Sequence, residues 1–250
     1  MTLQKLMGYI RRAAQDYGMI QAGDRIAVGV SGGKDSMSLL LGLAAMRAYL
    51  PEKYELEALT VSLNATGADF SRVTKLCDEI GVRHTIIESN IAEVVFDIRK
   101  ENNPCSLCAK MRKGALNPEA VRLGCNKVAY AHNRDDVIQT FFLSLFYEGR
   151  IGAFQPVTRL DKHDLTVIRP LMYVPEKSVI GFVRENGVPI VKNPCPTNGN
   201  TKREEMKDMI REYRTRFKSF DEKVFGAIKR SGIDGWKNVP DGRRYDGFGE

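Results

Sequence analysis

The stretch DRIAVGVSGGKDS, residues 24–36, decides the fold. Residues 24–30 form a short apolar run of the kind found in strands that are buried within a parallel sheet. The glycine-rich turn of residues 31–36 follows at once, and MSLLLGLAAMRAYL, residues 37–50, is a predicted helix. A strand, a tight turn and a helix in this order indicate an α/β protein.

The same alternation continues along the chain. Further strands are predicted at residues 56–63, 84–87, 127–131 and 167–168, and helices at 2–18, 70–80, 92–102, 107–123, 134–147 and 175–186. This order predicts an α/β fold with a Rossmann-like, doubly wound, mostly parallel sheet. Ligands of such sheets bind at the carboxyl ends of the strands.

The chain changes character near residue 200. KREEMKDMIREYRTRF and FDEKVFGAIKR are predicted basic helices, and residues 237–250 are rich in glycine and charge. Such a composition favours a poorly ordered tail. We therefore divide the chain into an N-terminal helix (1–18), a central α/β domain that carries the glycine-rich turn and the cysteines (19–200), and a basic helical C-terminal extension with a flexible tail (201–250).

The composition is that of a globular protein. Of the 250 residues, 43% are hydrophobic, and no stretch approaches the roughly 20 apolar residues that a membrane span needs. The start, MTLQKLMGYIRRAAQDYG, mixes charges with apolar residues, unlike a signal peptide, so we expect a cytoplasmic protein. A net charge of +7 attracts phosphate polyanions, although a basic surface without such a partner is an equal alternative.

The turn SGGKDS carries the strongest chemical signal. Glycines allow close approach of the backbone to a ligand, and the N–H groups of the turn and of the next helix form an anion site. Ser31 and Ser36 add hydroxyl donors, and Lys34 adds a cation. The spacing is neither that of a Walker loop nor that of a dinucleotide-binding loop. A plain glycine-rich turn is the alternative.

Three of the five cysteines indicate a metal or redox site. Cys105 and Cys108 form a C-x-x-C where a helix begins, which alone fits zinc, a redox pair or no chemistry. Cys195 lies between two prolines, an unusual place for a core cysteine. Three thiolates leave one coordination position open, as in catalytic sites, and they suit zinc or an iron–sulfur cluster. Cys77 and Cys125 are predicted to serve in packing.

The motifs together resemble those of a known enzyme family. SGGKDS, CSLCAKMRKG, AHNRDD, FYEGR, VIRPL and NPCP follow one another over about residues 5–215. In this order they resemble the tRNA 2-thiocytidine synthetases (TtcA) of the PP-loop ATP pyrophosphatase superfamily. The resemblance implies a PP-loop fold and a [4Fe–4S] cluster on Cys105, Cys108 and Cys195, with the fourth iron able to carry sulfur. Some family members have a second late cysteine where this chain has Asn198, which supports three cysteine ligands.

The resemblance also implies roles for individual residues. The implied ATP-binding residues are Val30, Ser31, Gly32, Gly33, Lys34, Asp35, Ser36, Leu63 and His132. Lys34, Arg112 and Asp136 are the implied catalytic residues: Arg112 would stabilise charge on the phosphate or the leaving oxygen, and Asp136 would act in acid–base chemistry or in Mg²⁺ binding. In the alternative, Asp135 and Asp136 are helix N-terminal charges and Arg112 is an ordinary exposed residue.

The function that the resemblance implies is tRNA thiolation. ATP and Mg²⁺ would adenylylate the C2 oxygen of an anticodon-loop cytidine, and sulfur from a cysteine desulfurase or free sulfide would replace it. The basic helices after residue 200 would hold the RNA. The sequence is compatible with a monomer or a homodimer. The alternatives are 2-thiouridine synthesis, a lysidine-type ligase, persulfide chemistry without metal, and a non-catalytic sensing or RNA-binding module. The 2-thiouridine enzymes (TtuA) carry extra Cys or His pairs near both ends, which this chain lacks.

Overall fold

The computed structural model describes residues 1–63, 67–99, 104–191, 202–237 and 239. They form a six-stranded sheet in the order β3-β2-β1-β4-β6-β5. The strands are β1 (Arg25–Gly29), β2 (Glu55–Val61), β3 (Arg83–Ile87), β4 (Lys127–Ala129), β5 (Val157–Leu160) and β6 (Leu165–Ile168). All neighbours pair in parallel except β5, which pairs antiparallel with β6 at the edge. The predicted doubly wound, mostly parallel fold is confirmed.

Helices cover both faces of this sheet. They are α1 (Leu3–Asp16), α2 (Lys34–Met46), α3 (Ser71–Glu79), α4 (Pro104–Arg122), α5 (Arg134–Tyr147), α6 (Glu176–Glu185), α7 (Lys202–Arg216) and α8 (Phe220–Arg230), with a π-helix at Glu93–Arg99. Successive strand residues point to opposite faces. Ile26 and Val28 therefore pack into one core, with α1 and α2, whereas Ala27 packs into the other, with α4. Within the described residues, no helix is long and apolar enough to cross a lipid bilayer.

The strand order reverses at β1, which lies between β2 and β4. A crevice opens beyond the carboxyl ends of the strands at such a switch point, and ligands of doubly wound sheets bind there. The SGGKDS turn follows β1 and the AHNRDD motif follows β4. Both motifs thus reach the same crevice.

Several elements differ from the sequence-based expectation, and α4, for example, begins at Pro104 instead of residue 107. Helix α2 begins at Lys34 instead of residue 37, because Gly33 takes an extended N-cap conformation and the helix starts directly after it. The predicted helix at 92–102 is a π-helix over Glu93–Arg99 as far as the structure describes it. Strand β5 was not predicted, since its four residues at the sheet edge carry no continuous apolar run.

The C-terminal extension packs on the rest of the protein. Helices α7 and α8 contact α5. Beyond them, the indole of Trp236 is buried edge-on against Tyr17 and Phe225 and donates a hydrogen bond to the Phe154 carbonyl. The extension therefore shares its core with α1. The division at residues 18 and 200 stays a prediction, and most of the predicted tail lies outside the described residues.

Candidate active site at the switch point

The phosphate loop takes a conformation that only glycine accepts easily. Gly32 has a φ of +76°, in the left-handed region. A Cβ atom on Gly32 would lie 2.7 Å from Cβ of Val191, too close for any side chain. The Val191 amide donates a hydrogen bond of 3.0 Å to the Gly32 carbonyl. The backbone after α6 therefore packs directly on the loop.

The two serines of the loop hold its shape. The Ser36 hydroxyl is buried, accepts a hydrogen bond from the Ser31 amide at 3.2 Å and donates one to the Gly33 carbonyl at 3.0 Å. The Ser31 hydroxyl accepts from the Gly33 amide at 3.3 Å. The first amides of α2 have no partner within their helix and point towards the crevice. The loop thus presents the donors that a phosphate requires.

Lys34 bridges two carboxylates at the start of α2. Its ammonium lies 2.7 Å from Asp35 and 2.9 Å from Glu176, in the first turn of α6. Burial lowers the pKa of Lys34, but the two carboxylates outweigh burial, and the net shift is upward. Lys34 is therefore a charged lysine that is already engaged on both sides.

A cleft of about 320 Å³ lies against the loop. Helix α4 forms its second wall through Ala109, Arg112, Lys113 and Leu116. This spacing places the four residues on one face of the helix. The remaining lining comes from the ends of the strands and the loop: Gly29, Val30, Ser31, Gly33, Asp35, Ser36, Leu59, Val61, Tyr130, Ala131 and His132.

Cys105 and Cys108 lie in the first turn of α4. They precede Ala109 and Arg112 by one helical turn, so they lie on the same face of α4 as the cleft wall. Cys105 is exposed and Cys108 is half-buried, and both are thiols. Within the ranges that the structure describes, no three metal-ligating side chains converge. Cys195, the third predicted ligand, lies outside those ranges.

The other two cysteines belong to the core, as predicted. Cys77 lies in α3 and is fully buried, and Cys125 is buried just beyond α4. Burial raises the pKa of each thiol to about 11. Both are therefore neutral packing residues at physiological pH.

Asp136 belongs to a capping box at the start of α5. Its carboxylate accepts a hydrogen bond from the Asn133 amide at 2.9 Å, and its own amide donates to the Asn133 side chain at 3.1 Å. The side-chain amide of Asn133 also donates a hydrogen bond of 2.9 Å to the Asp35 carboxylate. The guanidinium of Arg203, in α7, lies 3.3 Å from the Asp136 carboxylate. Burial raises the pKa of Asp136, and the charge of Arg203 opposes this shift. The helix-capping role is thus observed, next to the phosphate loop.

Asp135 has a structural position. Its buried carboxylate accepts the Glu176 backbone amide at 2.7 Å and pairs with Arg214 at 2.5 Å. Asp135 thereby joins α5 to α6 and α7.

Phe154 lies beside His132, which lines the cleft, and Arg169 lies beside Phe154. The imidazole of His132 lies 4.8 Å from the ring of Phe154, and the guanidinium of Arg169 lies 5.2 Å from that ring. Burial, with the charges of Arg169, Arg203 and Lys113, lowers the pKa of His132 to about 3. His132 is therefore a neutral imidazole throughout the physiological range.

The cleft brings together most of the residues singled out from the sequence. Val30, Ser31, Gly33, Asp35, Ser36, Arg112 and His132 line it. Gly32 and Lys34 belong to the loop without lining the cleft, Asp136 lies behind Asn133, and Leu63 packs against the core that contains α4. Sequence reasoning missed Lys113, Tyr130, Phe154, Arg169 and Glu176. Lys113 could have been found from the helical spacing with Ala109, and Arg169 from its place directly after β6.

Comparison with known proteins agrees with this geometry. Residues 6–213 match the PP-loop domain family. The chain is 37% identical over 239 residues to the tRNA-cytidine(32) 2-sulfurtransferase of Geobacter sulfurreducens, covering 94% of this chain and 90% of that protein. It is 34% identical over 229 residues to the enzyme of the same name from Teredinibacter turnerae, covering 91% of this chain and 76% of that protein.

A solved structure shares the fold. The U34-tRNA thiolase NcsA from Methanococcus maripaludis, solved with its [4Fe–4S] cluster, superimposes with a TM-score of 0.73. The two sequences are 22% identical, and the match covers 91% of this chain and 78% of that one.

Proposed function

Because the chain belongs to the PP-loop family of tRNA-cytidine(32) 2-sulfurtransferases, we propose that it activates the C2 oxygen of an anticodon-loop cytidine with ATP and replaces that oxygen with sulfur. The reaction class is ATP-dependent tRNA thiolation. One observation supports the proposal above all others: the phosphate loop and the helix that begins with Cys105 and Cys108 form two walls of one cleft.

The phosphate loop is suited to the first step. The amides at the start of α2 hold the β and γ phosphates, and Lys34 adds positive charge beside them. The C2 oxygen attacks the α phosphorus, the bond to the bridging oxygen breaks, and pyrophosphate leaves with that electron pair. Mg²⁺ would accompany the phosphates, with Asp35 and Asp136 as its proposed ligands beside the loop. The oxygen on C2 is now esterified to AMP and is a good leaving group.

The cysteines of α4 fit an iron–sulfur cluster. Two accessible thiols in one helical turn offer the soft ligands that such clusters take. Cys195 is four residues beyond Val191, which contacts the loop, so the chain can carry it at most about 14 Å from that anchor. A [4Fe–4S] cluster on Cys105, Cys108 and Cys195 would supply the sulfur atom for the second step.

Arg112 has the position required in that second step. It lies one turn after Cys108, lines the cleft and makes no ion pair with any residue that the structure describes. When sulfur bonds to C2 and the C2–oxygen bond breaks, negative charge moves onto the departing AMP. A guanidinium at this place stabilises that charge. The neutral imidazole of His132 borders the nucleotide.

The RNA requires a further surface. The target base must leave its stack to enter the cleft, as an unpaired loop base can. Residues 202–230, which contain α7 and α8, carry ten basic and six acidic side chains and are the proposed contact with the RNA backbone. A cysteine desulfurase or free sulfide is the proposed sulfur source, in the cytoplasm.

The test combines metal analysis with product analysis. Protein purified without oxygen is assayed for visible absorbance, iron and sulfide, and then incubated with unmodified tRNA, ATP and sulfide. We expect 2-thiocytidine in the digested tRNA, together with AMP and pyrophosphate. Cys105→Ala and Cys195→Ala should lose iron and product. Cys125→Ala, which alters a core cysteine away from the cleft, is the matched control and should keep both.

Each alternative has its own outcome. Product without iron, formed with the sulfane sulfur of a cysteine desulfurase but not with sulfide, would favour persulfide chemistry. A 2-thiouridine product would mean that the substrate is a uridine. Amine incorporation that survives Cys195→Ala would favour a lysidine-type ligase. Absence of AMP and pyrophosphate with every tRNA would favour a non-catalytic module.

A further inference from the structure

The cleft has two electrostatically different walls. On the loop side, Lys34 is paired with Asp35 and Glu176, and Arg203 is paired with Asp136. On the α4 side, Arg112 and Lys113 line the cleft, and neither pairs with a carboxylate of the described chain. This wall therefore carries positive charge without a counter-ion.

Arg169, directly after β6, adds a third cation near the cleft. Its guanidinium donates to the Gln155 carbonyl and to the Thr158 hydroxyl at 3.1 Å. These are neutral partners, and its buried Nε has none among the described groups. Burial lowers the pKa of Arg169 to about 10. A guanidinium with neutral partners leaves its full charge to act on the cleft.

The charge of Arg169 acts on Lys113. Its ammonium lies 5.9 Å from the ring centre of Tyr130, whose hydroxyl donates to Asn117. Partial burial and then the charge of Arg169 lower the pKa of Lys113. Two like charges that act on each other without a counter-ion destabilise the empty protein. An anion between α4 and the loop would relieve this repulsion.

We propose that Lys113 is the contact residue of a second anion subsite, which holds the α phosphate of ATP and, after pyrophosphate has left, the phosphate of AMP. This assignment rests on the proposed function. Arg169 is a positioning residue that acts through Lys113. The loop binds the two outer phosphates, so a second subsite keeps the activated base in place once the loop is empty. The same cation stabilises AMP as it leaves.

Separate titrations with AMP and with pyrophosphate, the two parts into which ATP is cleaved, test whether Lys113 binds the α phosphate. Wild type, Lys113→Met and the control Lys75→Met, exposed on α3, are titrated separately with AMP and with inorganic pyrophosphate. No tRNA or sulfur source is present, and binding is followed by calorimetry and thermal unfolding. We expect Lys113→Met to weaken AMP binding at least about tenfold while pyrophosphate binding stays within about twofold; the first change corresponds to roughly 1.4 kcal/mol. Lys113→Arg should recover most AMP affinity.

A pH series tests the positioning role of Arg169. Lys113 binds phosphate only while it is protonated, so AMP affinity should fall as the pH rises through the Lys113 pKa. Removing the neighbouring charge with Arg169→Met raises that pKa, and the fall should move to higher pH. A residue that served packing alone would lower AMP affinity at every pH without moving this transition.

Three results would overturn the proposal. AMP binding could survive Lys113→Met, AMP and pyrophosphate binding could weaken together, or only the binding of an anticodon-arm RNA could be lost. The last result would assign the subsite to an RNA phosphate. A protein that shows the expected AMP pattern but makes no thiolated tRNA would refute the proposed function and leave the subsite standing.

Discussion

The ammonium of Lys34 lies 2.9 Å from the carboxylate of Glu176, which joins the first turn of α6 to the phosphate loop. Both side chains are about one-third exposed, so their pairing is worth roughly 0.5–1 kcal/mol. A phosphate that binds Lys34 must compete with this carboxylate. The contact therefore holds the empty loop and opposes nucleotide binding.

We expect Glu176→Gln to bind pyrophosphate about two- to fivefold more tightly than wild type, since the competing charge is gone. Calorimetric titration measures the dissociation constant. Glu185→Gln, at the other end of α6, removes a carboxylate far from the loop and is the matched control. Unchanged or weaker binding by a folded Glu176→Gln protein would show that the contact does not compete with phosphate.

The pair formed by Arg203 and Asp136 predicts a change in the pH dependence of thiolation. Asp136 is needed as a carboxylate in either proposed role, acid–base chemistry or Mg²⁺ binding. Burial raises its pKa and Arg203 opposes that shift, so Arg203→Ala should raise the pKa further. The acid limb of the pH–rate profile should then move to higher pH.

Single-turnover thiolation between pH 5 and 9 measures that limb. Arg211→Ala, which removes an exposed arginine of the same helix, controls for a general effect of charge on RNA binding. The acid limb of Arg203→Ala should lie at higher pH than that of Arg211→Ala, and the two variants should not differ only in the maximal rate. An acid limb that stays in place in Arg203→Ala would remove Asp136 as the titrating group.

The phosphate loop was predictable because its residue types are dictated locally. A left-handed backbone at Gly32 and a buried hydroxyl at Ser36 leave few alternatives, and the flanking strand and helix follow from short apolar runs. Helix α4 begins at Pro104, three residues before the predicted start at 107, so the helix includes Cys105 as well as Cys108. Lys113 lay inside the predicted helix at 107–123, and it was missed because only its neighbour Arg112 was considered on that helix.

The surroundings of His132 were not predictable in the same way. Phe154 lies in the loop before β5, Arg169 follows β6, and both come to His132 only when the sheet forms. Contacts between such distant segments leave no periodic signal in the sequence. The capping role of Asp136 could be weighed from the sequence as an alternative, but its contact with Arg203 required the packing of α7 on α5.

Asp135 should be more important for stability than any exposed acid of α7. Its buried carboxylate satisfies the Glu176 amide and pairs with Arg214. Asp135→Ala leaves both without this partner and should lower the free energy of unfolding by about 2–3 kcal/mol. Asp208→Ala, which breaks an exposed pair within α7, should change it by less than about 0.5 kcal/mol.

Urea unfolding followed by circular dichroism measures both changes. The m-value should stay constant, since neither substitution alters the surface exposed on unfolding. Equal losses in the two variants would mean that Asp135 does not hold α6 and α7 to α5.

Gly32→Ala should damage the loop in two separable ways. The added Cβ would lie 2.7 Å from Cβ of Val191, and the φ of +76° is unfavourable for alanine. Backbone strain alone costs about 1–2 kcal/mol. We expect a lower melting temperature and loss of pyrophosphate binding, measured by thermal unfolding with and without the ligand.

Two double variants differ in whether they separate the Cβ clash from the backbone strain. Gly32→Ala with Val191→Ala keeps the clash, because alanine still has a Cβ atom. Gly32→Ala with Val191→Gly removes the clash and leaves the strained φ. This second variant should regain part of the lost stability relative to Val191→Gly alone, while pyrophosphate binding stays weak, since the strained φ still displaces the loop amides. Full recovery of binding would show that the clash was the whole effect. No recovery of stability would show that Val191 does not limit the space at Gly32, and the packing of the chain after α6 on the phosphate loop would then have to be different in solution.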